Sequence, residues 1–369
     1  MAEQEPRVTA LVLQGGGALG AYQVGAYMAL VERGIEPDWV CGTSIGAINA
    51  ALIVGNQPAN RLARLIEFWH GLAWPASGFD LPLPTSMRRQ LGMMDALRAF
   101  LFGQPNFFWP RLAMPFFALD APADKISLYD PSPLRGALES LVDFDCINAR
   151  RQRLTLGAVR VTTGELVFFD NARQPLASEH VMASGAMPPN FPGVRVDGEL
   201  FWDGGCVSAS PLEAIYRDTG GGADLVFMID LFEPTGLEPV SFDGVRNRKQ
   251  DIDGASRSAA QVEWLTANLN LQRALRRHLP DLSAAERGLL VPQSARTLQL
   301  VQLCYGGPPY EASTKEHDFS LRSIEARIEQ GHRDMHTVLD EAPWSRPHDD
   351  AGAVLHRRVA SRDRHTSEA

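Results

Sequence analysis

Cysteine is scarce in this chain: four residues in 369, at Cys41, Cys146, Cys206 and Cys304. Their wide spacing, with no Cys-x-x-Cys pair, excludes a disulfide-framed scaffold and a zinc-ribbon pattern. Reduced, mostly buried thiols are expected, and no metal site. An excess of positive charge is also lacking. The formal net charge is −9, which disfavours nucleic acid as a partner and gives no electrostatic pull toward anionic membranes. No uninterrupted apolar run is long enough to span a bilayer. The opening residues, Met1-Ala2-Glu3-Gln4-Glu5, have neither a basic segment nor an apolar core. No signal peptide is therefore expected, and the location implied is cytoplasmic, with any membrane contact peripheral and transient. There is no internal repeat, and nothing fixes the oligomeric state.

What is present reads as a globular chain, with hydrophobic residues at 45% and length for one large domain plus an extension. Strand-like runs lie at 8–13, 39–41, 154–161, 166–169, 200–202 and 225–231. Helical patterns fall between or before them; in 61–70, Leu62, Leu65, Ile66 and Trp69 share one face. This alternation predicts an α/β fold, a sheet sandwiched by helices.

Three strings occur on this framework in a fixed order. Gly15-Gly16-Gly17-Ala18-Leu19-Gly20 follows the first strand and precedes a helix over 21–33 closed by Gly34. Amides in such a loop face the space at a helix N-terminus, where negative charge is favoured. Gly42-Thr43-Ser44-Ile45-Gly46 lies between the strand 39–41 and a helix over 45–54. That is the setting of a nucleophile elbow, in which Ser44 takes a strained turn and Gly42 and Gly46 keep Cβ atoms out of the neighbouring strand and helix. Small residues at Gly46, Ala47, Ala50 and Ala51 let the helix lie close to the sheet. Asp203-Gly204-Gly205 ends the strand 200–202 and puts a carboxylate on a glycine turn before a helix start at Ser210-Pro211-Leu212. An oxyanion site, a nucleophile and a base are the minimum for cleaving an ester through an acyl-enzyme.

The first string also fits Gly-x-Gly-x-x-Gly at Gly15, Gly17 and Gly20. A dinucleotide site would need an acidic residue at the end of the second strand. The candidates, Glu36 and Asp38, precede that strand, and the serine elbow follows it. None of the nine histidines has a triad-like setting: His70 ends an amphipathic helix, His180 precedes the segment Ala183-Ser184-Gly185-Ala186-Met187-Pro188, and the others come late.

Over about residues 8–235 the chain resembles the patatin-like phospholipases, lipid acyl hydrolases with a Ser-Asp dyad. Members carry the glycine loop, Gly-x-Ser-x-Gly, an Ala-Ser-x-Ala-x-Pro segment and Asp-Gly-Gly or Asp-Gly-Ala in this order. The resemblance implies a patatin-like three-layer sandwich with a mostly parallel central sheet. It implies Ser44 as nucleophile, Asp203 as base, the amides of Gly15, Gly16 and Gly17 as the oxyanion hole, a lipid or ester substrate, and no cofactor or metal. Gly20, Gly42, Gly46, Gly204 and Gly205 are its motif glycines. An aspartate is a weak base for a hydroxyl, so it must stay ionised beside Ser44 while the oxyanion hole lowers much of the barrier. Two positions depart from the family pattern. Leu19 stands where many members have Arg or Lys, which weakens the case for a phospholipid headgroup and makes a thioesterase or short-chain carboxylesterase more credible. Ala209 and Ser210 stand where an Asn often occurs. A catalytically weak lipid-binding scaffold is a reading of another class, and the intact Ser44 and Asp203 argue against it.

The domain reading is a tail at 1–7, a catalytic domain at 8–235 and a helical C-terminal extension at 236–342, similar to that of a bacterial subset of the family. A polar, mobile tail is expected from 343 to 369. Within the catalytic domain, 71–130 is rich in proline and aromatics, too apolar for a linker and too broken for one long helix. It reads as a cap over an acyl pocket, with Phe107, Phe108 and Trp109 as possible lining, or as an insertion that packs its rings on the core. In the extension, 241–258 reads as an exposed loop, and 261–278 and 321–339 as helices. Arg273, Arg276 and Arg277 sit near the end of the first, as the helix dipole favours.

Overall fold

The computed structural model describes residues 8–74, 84–111, 122–218, 222–278, 297–308, 310–345 and 352–359, with Ser283 and Glu286. The strands are β1 (Thr9–Leu13), β2 (Trp39–Thr43), β3 (Trp109–Pro110), β4 (Tyr129–Asp130), β5 (Arg153–Arg160), β6 (Glu165–Asp170), β7 (Val194–Val196), β8 (Glu199–Asp203), β9 (Leu225–Asp230), β10 (Leu298–Cys304) and β11 (Ala353–Val359). The helices are α1 (Ala21–Glu32), α2 (Ile45–Val54), α3 (Arg61–Leu72), α4 (Thr85–Phe102), α5 (Ser132–Leu141), α6 (Phe144–Asn148), α7 (Ser178–Ser184), α8 (Leu212–Tyr216), α9 (Phe242–His278) and α10 (Leu321–Glu341).

Nine strands form one sheet, in which β11, β10, β9, β1, β2 and β5 are neighbours in that order and all parallel. β6 and β8 pair antiparallel with β5, and β7 pairs antiparallel with β8. β3 and β4 make a separate small ribbon. The period-2 alternation of β1 divides the core between two faces. Leu11 and Leu13 join the cluster that holds α1, α2, α3 and α10. Ala10 and Val12 join the cluster that holds α8 and α9. Helix, sheet, helix is the expected three-layer α/β sandwich.

β5 has two edges, and β6 fills one of them from Thr155 to Arg160. The other edge is shared end to end. β2 pairs with its first part, up to Thr43 opposite Gly157, and β8 arrives from the opposite direction, with Asp203 opposite Ala158. The C-terminal ends of β2 and β8 therefore meet head to head on one edge.

Four expectations differ from what is observed. The segment 241–258 is helical, as the first half of α9. Its inward residues Asp251, Ala255, Ser258, Val262, Leu265 and Leu269 are buried at helical spacing, but the first part of that stripe is polar and hides the apolar period. The C-terminal extension is not only helical, because β10 and β11 lengthen the main sheet. From the tail expected to be mobile, Ala353–Val359 pairs in parallel with β10; residues 346–351 and 360–369 lie outside the described residues. The insertion 71–130 holds one long helix, α4, because its prolines bracket residues 85–102 and do not interrupt them. Residues 75–83 and 112–121 of that insertion, Phe116 and Phe117 included, lie outside the described residues, as does the tail at 1–7.

Candidate active site

Ser44 sits between β2 and α2 with φ 57° and ψ −126°, a left-handed conformation that strains a residue bearing a Cβ. Its neighbours must be glycine for the turn to form. A Cβ on Gly42 would lie 2.2 Å from the Gly46 carbonyl oxygen, and one on Gly46 2.2 Å from that of Leu13. A Cβ on Gly15 would meet Ser44 Cβ at 2.9 Å, so the glycine loop lies directly over the serine. Gly204 is similarly confined: a Cβ there would lie 2.6 Å from the Gly157 carbonyl oxygen.

One short segment holds both catalytic candidates. The Ser44 N–H donates to the Ser184 carbonyl at 3.1 Å, and the Asp203 N–H donates to the Ala186 carbonyl at 3.0 Å. Ser184 is itself tied to β5, its hydroxyl donating to the Gly157 carbonyl at 2.6 Å. The Ala-Ser-x-Ala segment at the end of α7 thus clamps the strand before Ser44 to the strand that ends at Asp203. Its motif was visible in the sequence, but these backbone roles were not.

Asp203 is fully buried. Its Oδ1 accepts from the Gly205 N–H at 2.7 Å, while Oδ2 has no hydrogen-bond partner in regular geometry. Burial pushes the carboxyl up to about 7; the adjacent Ser44 hydroxyl and the Gly205 amide act against that rise. The side chains of Ser44 and Asp203 are therefore close enough to interact without a formed hydrogen bond between them, the looser geometry common before substrate binds. His180 is engaged at the start of α7, where its Nδ1 accepts from the Ala177 N–H at 3.0 Å.

The glycine loop differs in one respect from the expectation. The Gly15 N–H is already engaged, donating to the Ala209 carbonyl at 2.9 Å, so it is not free to receive an oxyanion. The amides of Gly16 and Gly17 bind no described residue. Gly17 has φ +56°, and a Cβ there would lie 2.4 Å from the Glu316 carbonyl oxygen, so no other residue fits. The C-terminal region therefore lies on the loop. From α10, the buried Arg327 donates to the carbonyls of Ala18 at 3.2 Å, Asp318 at 2.9 Å and Lys315 at 3.1 Å, and pairs with Glu311 at 3.0 Å. Leu19 is buried in the core. On the aspartate side, Arg257 of α9 donates to the Val207 carbonyl at 3.1 Å. Nothing in the motifs pointed to Arg327, Glu311 or Arg257.

The three aromatic candidates separate. Phe107 and Phe108 are buried, with Phe108 4.6 Å from Tyr129 and Phe107 5.6 Å from Phe319 between ring centres. Trp109 is exposed and rests on Trp74. A polar groove of about 920 Å³ lies between α4 and α10, lined by Arg88, Lys315, Asp318, Arg322 and Arg327 among others. Neither Ser44 nor Asp203 borders it, and the site is defined by the motif geometry instead. No cluster of metal-ligating side chains lies at Ser44 among the described residues.

A strained serine after a central parallel strand, a glycine loop over it and a buried aspartate beside it make up the candidate site. Residues 11–216 match the family described as patatin-like phospholipase, and 252–351 match a second family described as patatin phospholipase. The chain belongs to the patatin-like phospholipase family, a family of lipid acyl hydrolases. Among curated relatives it is 28% identical over 237 residues to an uncharacterized NTE family protein of Mycobacterium tuberculosis, a match covering 63% of this chain and 33% of the relative. It is 29% identical over 226 residues to the rat patatin-like phospholipase domain-containing protein 7, covering 60% of this chain and 13% of that one. The chain thus spans a third or less of the length of these relatives. Among solved structures, human GIVD cytosolic phospholipase A2 gives a TM-score of 0.40 at 11% identity, over 94% of this chain and 64% of that one. VipD from Legionella pneumophila gives 0.39 at 15%, over 91% and 67%.

Proposed function

We propose that this protein is a serine acyl hydrolase that cleaves lipid carboxylic esters through a Ser44-Asp203 dyad and a covalent acyl-enzyme, using no metal or cofactor. The observation that carries this reading is the head-to-head meeting of β2 and β8 on one edge of β5, which sets a strained serine beside a buried carboxylate. Asp203 accepts the Ser44 hydroxyl proton as Oγ attacks the ester carbonyl carbon. The oxyanion that forms accepts hydrogen bonds from the Gly16 and Gly17 amides. As the intermediate collapses, the alcohol leaves with the proton held by Asp203. Water then attacks the acyl-enzyme with Asp203 again as base, and Ser44 is regenerated.

The enzyme acts in the cytoplasm and meets lipid transiently at a surface. In support, α4 exposes Met94, Leu97, Phe100 and Leu101, an apolar face suited to such contact. The buried Leu19 leaves the loop without a cation for a phosphate headgroup, which favours neutral esters or thioesters as the competing substrate class. A hydrolysis panel of phospholipids, acylglycerols, p-nitrophenyl esters and acyl-CoAs, run with wild type and Ser44→Ala, tests this. Turnover of an oxygen ester lost in Ser44→Ala supports the proposal. Activity retained in Ser44→Ala rejects it, and thioesters as the only substrates establish the alternative.

A further inference from the structure

Glu32 ends α1, and His332 and His336 stand one turn apart on α10. Their side chains converge from these two helices. Glu32 Oε2 lies 2.9 Å from His332 Nε2 and 2.7 Å from His336 Nε2, and the two Nε2 atoms are 3.2 Å apart. A tetrahedral ion bound at about 2.0–2.1 Å holds its ligand atoms about 3.3 Å from one another. The observed edges of 2.7, 2.9 and 3.2 Å are shorter than that, and an ion entering the triangle would lengthen the shortest by about 0.6 Å.

The backbone presets this meeting. α1 and α10 touch through glycines: a Cβ on Gly25 would lie 1.8 Å from the Ile328 carbonyl oxygen, and one on Gly331 2.0 Å from that of Tyr22. The cluster lies along the same contact, beside the ion pair of Arg33 and Asp340, which joins the same two helices. The three side chains are partly exposed, at 45%, 31% and 27% for Glu32, His332 and His336, so an ion and a water ligand have access.

We infer that Glu32, His332 and His336 bind a divalent transition-metal ion of the zinc class, with water in the fourth position. Two imidazoles and one carboxylate suit zinc, cobalt or nickel and not calcium or magnesium. α1 spans about 18 Å at 1.5 Å per residue, and the glycine loop lies at its other end. The ion therefore joins the C-terminal region to the catalytic half and takes no part in the hydrolysis, so the inference does not depend on the proposed reaction. The scarcity of cysteine predicted no metal site. This cluster escapes that reading because its ligands are a Glu and a His pair that only the fold brings together.

The test uses tag-free full-length protein stripped with EDTA. Titration with Zn²⁺ and with Co²⁺ should saturate at one ion per chain, and Co²⁺ should give the visible absorption of a four-coordinate site. Zn²⁺ should raise Tm. His336→Gln and Glu32→Gln should each weaken binding by more than about tenfold, the loss already seen when only an outer-shell partner is removed, and should keep the Tm of wild type in EDTA. No saturable binding, or equal binding by both variants and wild type, overturns the inference.

Discussion

Thr43 and Asp203 occupy neighbouring stations on one strand: Thr43 pairs with Gly157 of β5, and Asp203 with Ala158. The residue after Thr43 is Ser44. Two strands distant in sequence thus bring the proposed nucleophile and base to the same point, and a shift in either pairing would separate them. The Ser184 and Ala186 carbonyls, bonded to the amides of Ser44 and Asp203, hold that register.

The buried carboxyl ties pH to both activity and stability. With the folded value raised to about 7, the base form needed for catalysis is gained as pH rises, so kcat should increase through pH 7. Stability moves the other way. A carboxyl whose pKa is raised by folding favours the native state most below its unfolded value, near 4, and that contribution is lost as pH rises through 7. Asp230, pushed up to about 6 by burial, acts in the same direction. Replacing Asp203 by Asn removes its share of the slope, of the order of a few kcal/mol at about 1.4 per unit. Urea unfolding of both proteins at pH 5 and pH 8 checks this: Asp203→Asn should lose less stability than wild type on going to pH 8. Equal losses would contradict the raised value.

Arg327 anchors the C-terminal region to the glycine loop. Its guanidinium is buried, pairs with Glu311 and caps the Ala18 carbonyl. Arg327→Met leaves Glu311 an unpaired buried charge and frees that carbonyl, and should cost about 3–5 kcal/mol. The accompanying Glu311→Met change should recover part of that loss. Thermal denaturation of the single and double variants reads the difference, and an unchanged Tm in the single variant would contradict the anchoring role.

The aromatic insertion is expected to act through packing. Phe108 is buried against Tyr129 and Phe191, so Phe108→Ala should cost about 3–5 kcal/mol of stability. Specificity constants should then fall evenly across a chain-length series. A loss that grows by about 0.8 kcal/mol per methylene would instead identify a wall of the acyl pocket.

The elbow and its flanks were legible because steric demand writes them locally: a buried strand, a glycine on each side of the serine and a helix of small residues. The aspartate turn was legible only through its order after the other two strings. What stayed hidden is carried by partners distant in sequence or by the backbone. The Gly15 amide is occupied by the Ala209 carbonyl, which no residue type announces. The first half of α9 turns Asp251 and Ser258 inward, so no apolar period marks it. β10 carries the buried polar Gln299 and Gln302; Gln302 bonds Asp230 and Arg357, and the strand read as neither helix nor sheet. The meeting of Glu32 with His332 and His336 depends on a glycine contact between α1 and α10 that is set only once the fold is complete.

The central claim, a serine nucleophile served by a buried aspartate, is tested most directly by the rate and position of fluorophosphonate labelling, read by mass spectrometry of wild type, Asp203→Asn and His180→Ala. Wild type and His180→Ala should carry one adduct on Ser44 and form it at comparable rates. Asp203→Asn should fold and label far more slowly, by about 10²–10⁴-fold, the usual contribution of a general base. An adduct on another residue, or labelling of Asp203→Asn at the wild-type rate, would contradict the account.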